Sequence, residues 1–385
     1  MSSLSTNKDR ARLVALDGLR GAACAGIVLL HVWMFDHGVT GGGGDKNLLD
    51  LVIGELRLAV PLFFVLSGFL VYRPFVAAAL DRRPAPSVRT YALRRAARIL
   101  PAYWAAVIGV FLLLRALDHP FAIPAAQLPT FLLFAQNQDP ATLGRLDPPM
   151  WTLCVEVTFY LLVPLVALLA LRLGARRGRQ LALTGGLAVL GAALIAAAVL
   201  GHWPKTVTTS LLTNLTSFAA GMGAAALVHR RELSRAAAAA VLAAGVALVV
   251  GDGIWHAGAI GPQLARDIGA DQPAAIGFGL VVAAFAGSAL PAGPLGSAPM
   301  RSMGTLSYGA YLWHFPAIYA LRTWGAWPEN LVLAYAATLA ATCAVALVSW
   351  RVLERPLIGL AHRTTQRRWR SATWRRAVID ELPVR

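Results

Sequence analysis

Residues 16–36, LDGLRGAACAGIVLLHVWMFD, form a long apolar run near the N-terminus. A helix needs about 17 to 25 predominantly apolar residues to cross the hydrocarbon core of a bilayer, and this run has that length. Similar runs recur to the end of the chain, at 51–73, 98–117, 151–171, 181–200, 207–228, 236–251, 272–290, 304–322 and 330–350. The sequence therefore predicts an all-α, polytopic membrane protein with about ten transmembrane helices.

The composition of the whole chain agrees with this fold class. Hydrophobic residues make up 57% of the 385 residues and charged residues only 14%, and the mean hydropathy is +0.60. About 25% of the residues of a typical soluble globular protein are charged. One soluble core of this length could not enclose so much apolar surface. The same figures exclude a disordered chain, a collagen-like chain and a disulfide scaffold.

The distribution of basic residues predicts the orientation of the helices. The net charge is +16, and arginines cluster before the first run, in the even-numbered connections and in the tail. Cytoplasmic loops carry an excess of Lys and Arg, so both termini are predicted to be cytoplasmic, with 41–44 and 135–150 outside. A nucleic-acid partner is the other explanation of such a charge, but the asymmetry between the loops favours the membrane explanation, and no nucleic acid is expected.

Residues 1–360 are predicted to form one transmembrane domain, and residues 361–385 a basic cytoplasmic tail. The segment 121–136, FAIPAAQLPTFLLFAQ, is too short and too interrupted by proline for a span, so we interpret it as a re-entrant or interfacial piece. The first apolar run has no small-residue cleavage site and is interpreted as a retained span. No His or Cys spacing typical of a metal site occurs, and no metal is expected.

Ionisable residues within spans are costly and indicate function. Arg20 and His31 are eleven residues apart in the first run, a rotation of about 1100°, which places them on one helix face with a rise of about 16 Å. Asp17, one turn before Arg20, can hold its guanidinium. If Arg20 lies at the cytoplasmic interface, His31 lies near the bilayer midplane. A snorkelling arginine and a histidine bonded to a neighbouring helix are the alternatives.

Charged residues also lie near the ends of the third and fourth apolar runs, where these are predicted to enter the membrane. Arg94, Arg95 and Arg98 cluster within one turn of a predicted helix, and forked guanidinium groups suit phosphate; anchoring of a cytoplasmic loop is the alternative. Glu156 lies about one and a half turns inside the fourth run, after Trp151 at the predicted outer interface. A carboxylate at that depth needs a partner, for which His31 or an arginine is the natural candidate.

The ninth run carries a polar stripe. Ser307, Tyr311 and His314 are spaced i, i+4, i+7, so they share a helix face. Hydrogen bonding between helices is the alternative function of such a stripe, and we favour it for Ser307. Ser67 is a conceivable nucleophile, but no G-x-S-x-G motif surrounds it, and a close helix contact with its neighbour Gly68 is the better explanation.

These segments, taken in order, resemble the acyltransferase family 3 membrane proteins. The resemblance rests on six stretches between residues 16 and 356, which are LDGLRGAACAGIVLLH, LFFVLSGFLVYRPF, RRAARILPAYW, WTLCVEVTFYLLVPL, LSYGAYLWHFP and VLERP. The family's Arg-x10-His falls on Arg20 and His31, and its Arg-x-x-Arg falls on Arg95 and Arg98. The resemblance implies a stand-alone member in a bacterial cell membrane that takes an acyl group, acetyl above all, from acyl-CoA. The implied acceptor is a hydroxyl of a glycan, a glycolipid or a macrolide-type natural product.

The residues and the resemblance together give a set of expected roles. His31 is expected to be the general base, since the pKa of histidine lies near neutral pH, or else a nucleophile. Arg20 is expected to be the cation on the same helix face toward the cytoplasm, and Glu156 is expected to orient His31 or to stabilise its protonated form. Arg95 and Arg98 are expected to bind the phosphates of coenzyme A. The candidate substrate-binding residues are Trp151, Tyr311 and His314. A membrane transporter or flippase is the alternative function.

Overall fold

The computed structural model describes residues 2–37, 47–174, 176–258, 260–269 and 271–365, with side chains from residue 14 onward. All regular elements in these ranges are helices, which confirms the all-α prediction. In chain order the α-helices are α1 Ser2–His37, α2 Leu48–Gly54, α3 Ala59–Asp81, α4 Val88–Ala116, α5 Leu128–Leu132, α6 Trp151–Leu173, α7 Arg177–Leu200, α8 Lys205–Thr208, α9 Leu211–Val228, α10 Arg235–Ala257, α11 Gln263–Gly269, α12 Gln272–Ala286, α13 Ala298–Thr323 and α14 Leu331–Ser349.

The polytopic character is confirmed by the helices themselves. Within the described ranges, eight helical stretches are long and apolar enough to cross a membrane by length and composition, namely Val14–His37, Val88–Ala116, Pro148–Leu173, Arg177–Leu200, Lys205–Val228, Arg235–Ala257, Gln263–Ala286 and Leu331–Thr365. The counterparts of the predicted second and ninth spans, α3 and α13, are long helices that pack inside the bundle. The total of ten crossings and the side of each terminus stay predictions.

The predicted bounds of the second span, 51–73, are wrong. Residues 51–54 belong to α2, a 3-10 turn follows at Glu55–Leu58, and the long helix α3 begins only at residue 59. The turn holds an ion pair between Glu55 and Arg57 at 2.9 Å, and Arg57 also contacts Asp271. Charged partners stabilise this break in the helix, and a count of apolar residues does not detect it.

The last helix also differs from its predicted end. It does not stop at the predicted residue 350: α14 continues through a π-helical turn, Trp350–Glu354, and then as helix to residue 365. A π-turn widens the helix locally, and such turns are one way in which a helix accommodates a disruption. The first five residues of the predicted tail, 361–365, are therefore helical. Residues 366–385, like 41–44, lie outside the described residues.

The segment 121–136 forms no long helix, in agreement with its proline content. It contains a 3-10 turn at Ala125–Gln127 and the single short helix α5. Two side chains of α4 hold it in place: the Tyr103 hydroxyl donates to the Phe131 carbonyl at 2.7 Å, and the Trp104 indole donates to the Leu132 carbonyl at 3.0 Å. The segment therefore packs against the middle of α4.

Small residues allow the central helices to approach closely. A Cβ atom at Gly304 of α13 would overlap the carbonyl oxygen of Asp17 on α1, and one at Gly21 would overlap the carbonyl oxygen of Met300. The same arrangement joins α3 to α9, where a Cβ at Gly68 would overlap the carbonyl oxygen of Phe218. Small residues at helix contacts are typical of membrane proteins, and the interpretation of Gly68 as a contact residue fits this geometry.

The topology prediction is checked by labelling cysteines from outside the cell. In a variant lacking Cys24, Cys154 and Cys343, a single cysteine at position 43 should react with a membrane-impermeant maleimide, because the loop asymmetry places 41–44 outside. A single cysteine at position 176 should react only after the membrane is permeabilised. Labelling of position 176 in intact cells would contradict the predicted orientation.

Candidate active site

A cavity of about 750 Å³ lies among the central helices. Its walls come from α1, α3, α4, α6 and α13, with Trp350 and His362 from the continuation of α14. Its size falls within the range of about 300–1,000 Å³ that is common for small-molecule sites. Five of the eight predicted site residues line it, which are Arg20, Arg95, Arg98, Glu156 and Tyr311.

One part of the cavity is strongly basic. Arg20 of α1 and Arg98 of α4 lie close enough for their charges to repel, and the charges of Glu156 and Asp17 act on Arg20 in the opposite sense. The guanidinium of Arg95 stands 5.6 Å from the centre of the Tyr160 ring, a cation–π arrangement that fixes its direction. Three guanidinium groups from two helices thus face one space.

Arg94, the third arginine of the sequence cluster, points elsewhere. Its Nε and Nη2 donate to the Thr365 hydroxyl at 3.2 and 3.1 Å. It therefore binds the end of the last helix and does not line the cavity. The three arginines therefore have two different roles: Arg95 and Arg98 face the cavity, and Arg94 joins α4 to Thr365.

Glu156 does not contact His31, so the predicted pairing of these two residues is not formed. Its carboxylate accepts hydrogen bonds from the Ser67 hydroxyl and from the Tyr160 hydroxyl. The physical reason is the packing of α6 against α3, which turns Glu156 into the cavity, whereas His31 faces α13. The other predicted partner, an arginine, agrees better with the structure, since Glu156 acts electrostatically on Arg20.

His31 instead pairs with a second histidine. Its Nδ1 lies 2.8 Å from Nε2 of His314 on α13, and the ring centroids are 4.9 Å apart with nearly parallel planes. The Phe315 ring packs edge-on against His31 at 4.7 Å. His314 is fully buried, and its Nδ1 lies 2.7 Å from the carbonyl oxygen of Tyr311. Two predicted site residues are therefore in direct contact.

Tyr311 stands between the cavity and the histidine pair. It lines the cavity, and its ring centroid is 5.6 Å from that of His314. Its hydroxyl donates to the carbonyl of Pro149 at 2.7 Å and lies 2.8 Å from the Thr152 hydroxyl. Neither histidine belongs to the described cavity wall, so Tyr311 is the predicted site residue that touches both regions.

The cavity wall differs from the predicted set of site residues at two aromatic positions. Trp151 does not line the cavity: its ring packs against Phe64, and its carbonyl accepts a hydrogen bond from Asn137. Tyr160, which sequence reasoning missed, lies beside Glu156 in the wall. The signal was present, because residues 156 and 160 are spaced i, i+4 and share a helix face. The Ser307 hydroxyl donates to the Gly304 carbonyl of its own helix at 2.9 Å, so it does not form the bond between helices that the sequence led us to expect.

Comparison with known proteins gives a consistent result. The family described as an acyltransferase domain matches residues 13–351. BcsY of Komagataeibacter xylinus, described as a membrane-bound transacylase, is 27% identical over 88% of this chain and 81% of its own length. Nodulation protein 10 of Rhizobium leguminosarum bv. viciae is 26% identical over 91% and 95%. The O-acetyltransferase OatA of Staphylococcus aureus is 23% identical over 90% of this chain and 57% of its own length.

No solved structure matches the chain, so the fold rests on the helices described above. The family match covers most of the chain, and it includes every residue of the cavity wall except His362. The six sequence segments, the arginines that line the cavity and the family match agree with one another. This multi-pass membrane protein is an acyl-transferring enzyme, and it belongs to acyltransferase family 3.

Proposed function

We propose that this enzyme is an O-acyltransferase that moves an acyl group, acetyl above all, from acyl-CoA to a hydroxyl group of its acceptor. The acceptor classes proposed are a glycan, a glycolipid or a macrolide-type natural product, and the location proposed is a bacterial cell membrane. The observation that carries the proposal is the juxtaposition of a cavity lined by Arg20, Arg95 and Arg98 with the histidine pair beyond Tyr311.

The arginines support acyl-CoA as the donor. A CoA thioester carries several phosphate oxygens, and planar guanidinium groups bind such oxygens with paired, charge-assisted hydrogen bonds. Arg95 and Arg98 reach the cavity from α4, which enters the bundle from the predicted cytoplasmic side. A donor made in the cytoplasm would meet these two residues first. Arg20 reaches the same cavity from α1 and would add a third guanidinium group beside the bound donor.

His31 supplies the proton transfer that the reaction requires. The acceptor oxygen attacks the thioester carbonyl carbon while His31 takes the hydroxyl proton, so that an O–C bond forms. The C–S bond then breaks, and the thiolate of coenzyme A leaves and takes the proton from His31. The products are the acyl ester and free CoA, and the enzyme returns to its starting protonation state. General base catalysis of this kind contributes about 10²–10⁴-fold in rate.

The proposal is tested by incubating the purified enzyme in nanodiscs with acetyl-CoA labelled on the acetyl group. We expect release of free CoA thiol together with loss of label from the thioester, by slow hydrolysis or by transfer to a supplied glycan. Transport of a glycosylated substrate by proteoliposomes without any acyl-CoA consumption would favour the alternative, a transporter or flippase. That result would overturn the proposed activity.

Arg98→Ala is expected to weaken the binding of acyl-CoA about tenfold or more. A hydrogen bond to a charged group contributes about 1.5–3 kcal/mol, and each 1.4 kcal/mol is about tenfold in Kd. The measurement is titration of labelled acyl-CoA at two salt concentrations. Binding by the wild type should weaken more steeply with salt than binding by the variant, because the variant has lost one phosphate contact.

Arg94→Ala is the matched control for this variant. Arg94 lies on the same helix and carries the same charge, but its guanidinium binds Thr365 and not the cavity. Its removal should leave the Kd for acyl-CoA within about twofold, a change of under half a kcal/mol. If the two variants bind acyl-CoA equally well, Arg98 serves only to hold the cytoplasmic loop inside.

A further inference from the structure

We propose that His314 is a positioning residue that fixes the tautomer of His31, so that Nε2 of His31 is the atom that accepts the proton of the acceptor hydroxyl. The inference rests on the proposed function, since it names the reactive atom of the same base. It assigns His314 a role different from the substrate binding expected from the sequence.

The argument begins at the backbone of α13. Nδ1 of His314 lies 2.7 Å from the carbonyl oxygen of Tyr311. A carbonyl oxygen has lone pairs and no hydrogen, so it can only accept a hydrogen bond. The proton in this contact must therefore sit on Nδ1 of His314. Because His314 is fully buried and has no carboxylate against its ring among the described contacts, its neutral form is favoured.

A neutral histidine with its proton on Nδ1 has a lone pair on Nε2. That atom of His314 lies 2.8 Å from Nδ1 of His31, which is an ordinary hydrogen-bond distance. Two lone pairs at this distance would repel each other, so Nδ1 of His31 must carry the proton. The Tyr311 carbonyl thus sets the tautomer of His314, and His314 sets the tautomer of His31.

The remaining nitrogen of His31 is then the base. With Nδ1 protonated, the lone pair of neutral His31 lies on Nε2, and no described residue donates a hydrogen bond to that atom. His31 is only partly buried, so the protein does not enclose its imidazole completely. The Phe315 ring, packed edge-on at 4.7 Å, restricts rotation of the imidazole and keeps this orientation.

The same contact assists His31 after it has accepted the proton. The imidazolium donates from Nδ1 to the neutral His314, and a hydrogen bond from a charged donor is roughly twice as strong as a neutral one. No carboxylate faces His31 among the described residues, and Glu156 is bonded to Ser67 and Tyr160. No carboxylate therefore adds to this stabilisation, and the proton on Nε2 can pass to the departing thiolate of coenzyme A.

The first test observes the tautomer directly in the resting wild-type enzyme. Nitrogen-15 NMR of enzyme with labelled histidine, with His31 assigned by its absence from a His31→Gln sample, should show a protonated Nδ1 and an unprotonated Nε2. In His314→Phe, which keeps a ring but lacks the acceptor nitrogen, the His31 signals should move toward the Nε2-protonated form. An Nε2-protonated His31 in the wild type would overturn the inference.

The second test is kinetic. We expect His314→Phe to lower kcat about 10²–10⁴-fold, since a histidine base held in the wrong tautomer loses up to about 10⁴ in serine proteases. The KM for acyl-CoA should change less than about threefold, because the cavity wall does not include His314. His314→Gln should recover activity to within about tenfold of wild type, because its side-chain carbonyl can accept the same hydrogen bond.

The outcomes separate this inference from the proposed function. If the wild type transfers no acyl group from any acyl-CoA, the proposed function fails, whatever tautomer NMR reports. If the wild type is active and a folded His314→Phe keeps its kcat, the positioning role is wrong. Thermal unfolding and acyl-CoA binding show whether each variant is folded, and the wild-type tautomer decides the case even if His314→Phe does not fold.

Discussion

His31→Ala is expected to abolish acyl transfer, with a fall in kcat of about 10²–10⁴-fold, while the enzyme still binds acyl-CoA. The reason is that the arginines which face the cavity belong to α1 and α4 at a distance from the histidine pair, so donor binding does not depend on the imidazole. The measurement is single-turnover transfer of labelled acetyl from acetyl-CoA, paired with titration of acyl-CoA binding.

Arg20→Ala, in contrast, should impair both binding and transfer, because Arg20 lines the cavity.

His256→Gln is the matched control for the loss of a histidine. Its ring nitrogens lie 3.0 Å from the Asp252 carbonyl oxygen and 3.2 Å from that of Arg266, on helices that do not line the cavity. We expect this variant to keep transfer near the wild-type rate. Near-wild-type turnover by His31→Ala would show that the assignment is wrong and would make His314 the next candidate for the base.

A nucleophilic role of His31 predicts a different observation. An acyl-imidazole would form on His31 before the acceptor binds, so incubation of the enzyme with labelled acyl-CoA alone would leave label on the protein. General base catalysis leaves no label under the same conditions. The tautomer argument is compatible with either role, because both use the lone pair of Nε2.

The sequence predicted the parts of the site that one helix determines by itself. Arg95 and Arg98 share the cavity because residues three apart lie on neighbouring positions of one helix face. Even within α4, however, the sequence could not separate these two from Arg94, since the direction of a long side chain depends on its partner. Thr365, which binds Arg94, is 271 residues away.

The spacing of residues along one helix does not predict which side chains of another helix they will contact. Glu156 and His31 were predicted to meet because each needed a partner inside the membrane, but that need does not specify which partner. The packing of α6 against α3 gave Glu156 two hydroxyl groups, and the packing of α1 against α13 gave His31 the imidazole of His314. Both contacts depend on how closely two backbones approach, which is determined by small residues with no chemistry of their own.

Gly304→Ala is therefore expected to damage both stability and catalysis, although glycine has no side chain with which to bind a substrate. The new Cβ atom would overlap the carbonyl oxygen of Asp17 on α1, and a backbone atom cannot turn aside as a flexible side chain can. Overpacking of this kind costs about 1–3 kcal/mol. A shift of α1 away from α13 lengthens the contact between His31 and His314, so transfer should fall more than acyl-CoA binding does.

Gly186→Ala is the control that isolates this effect. A Cβ atom at position 186 of α7 meets no other atom within 4 Å, and alanine is favoured over glycine inside a helix by about 0.5–1 kcal/mol. Its thermal unfolding temperature and its rate of transfer should match or exceed those of the wild type. If Gly304→Ala unfolds at the same temperature as Gly186→Ala and keeps its turnover, then α1 and α13 are not held together as the structure has them. Since helices separated by the width of a methyl group could not hold the 2.8 Å contact between His31 and His314, unchanged turnover would also show that transfer does not need that contact.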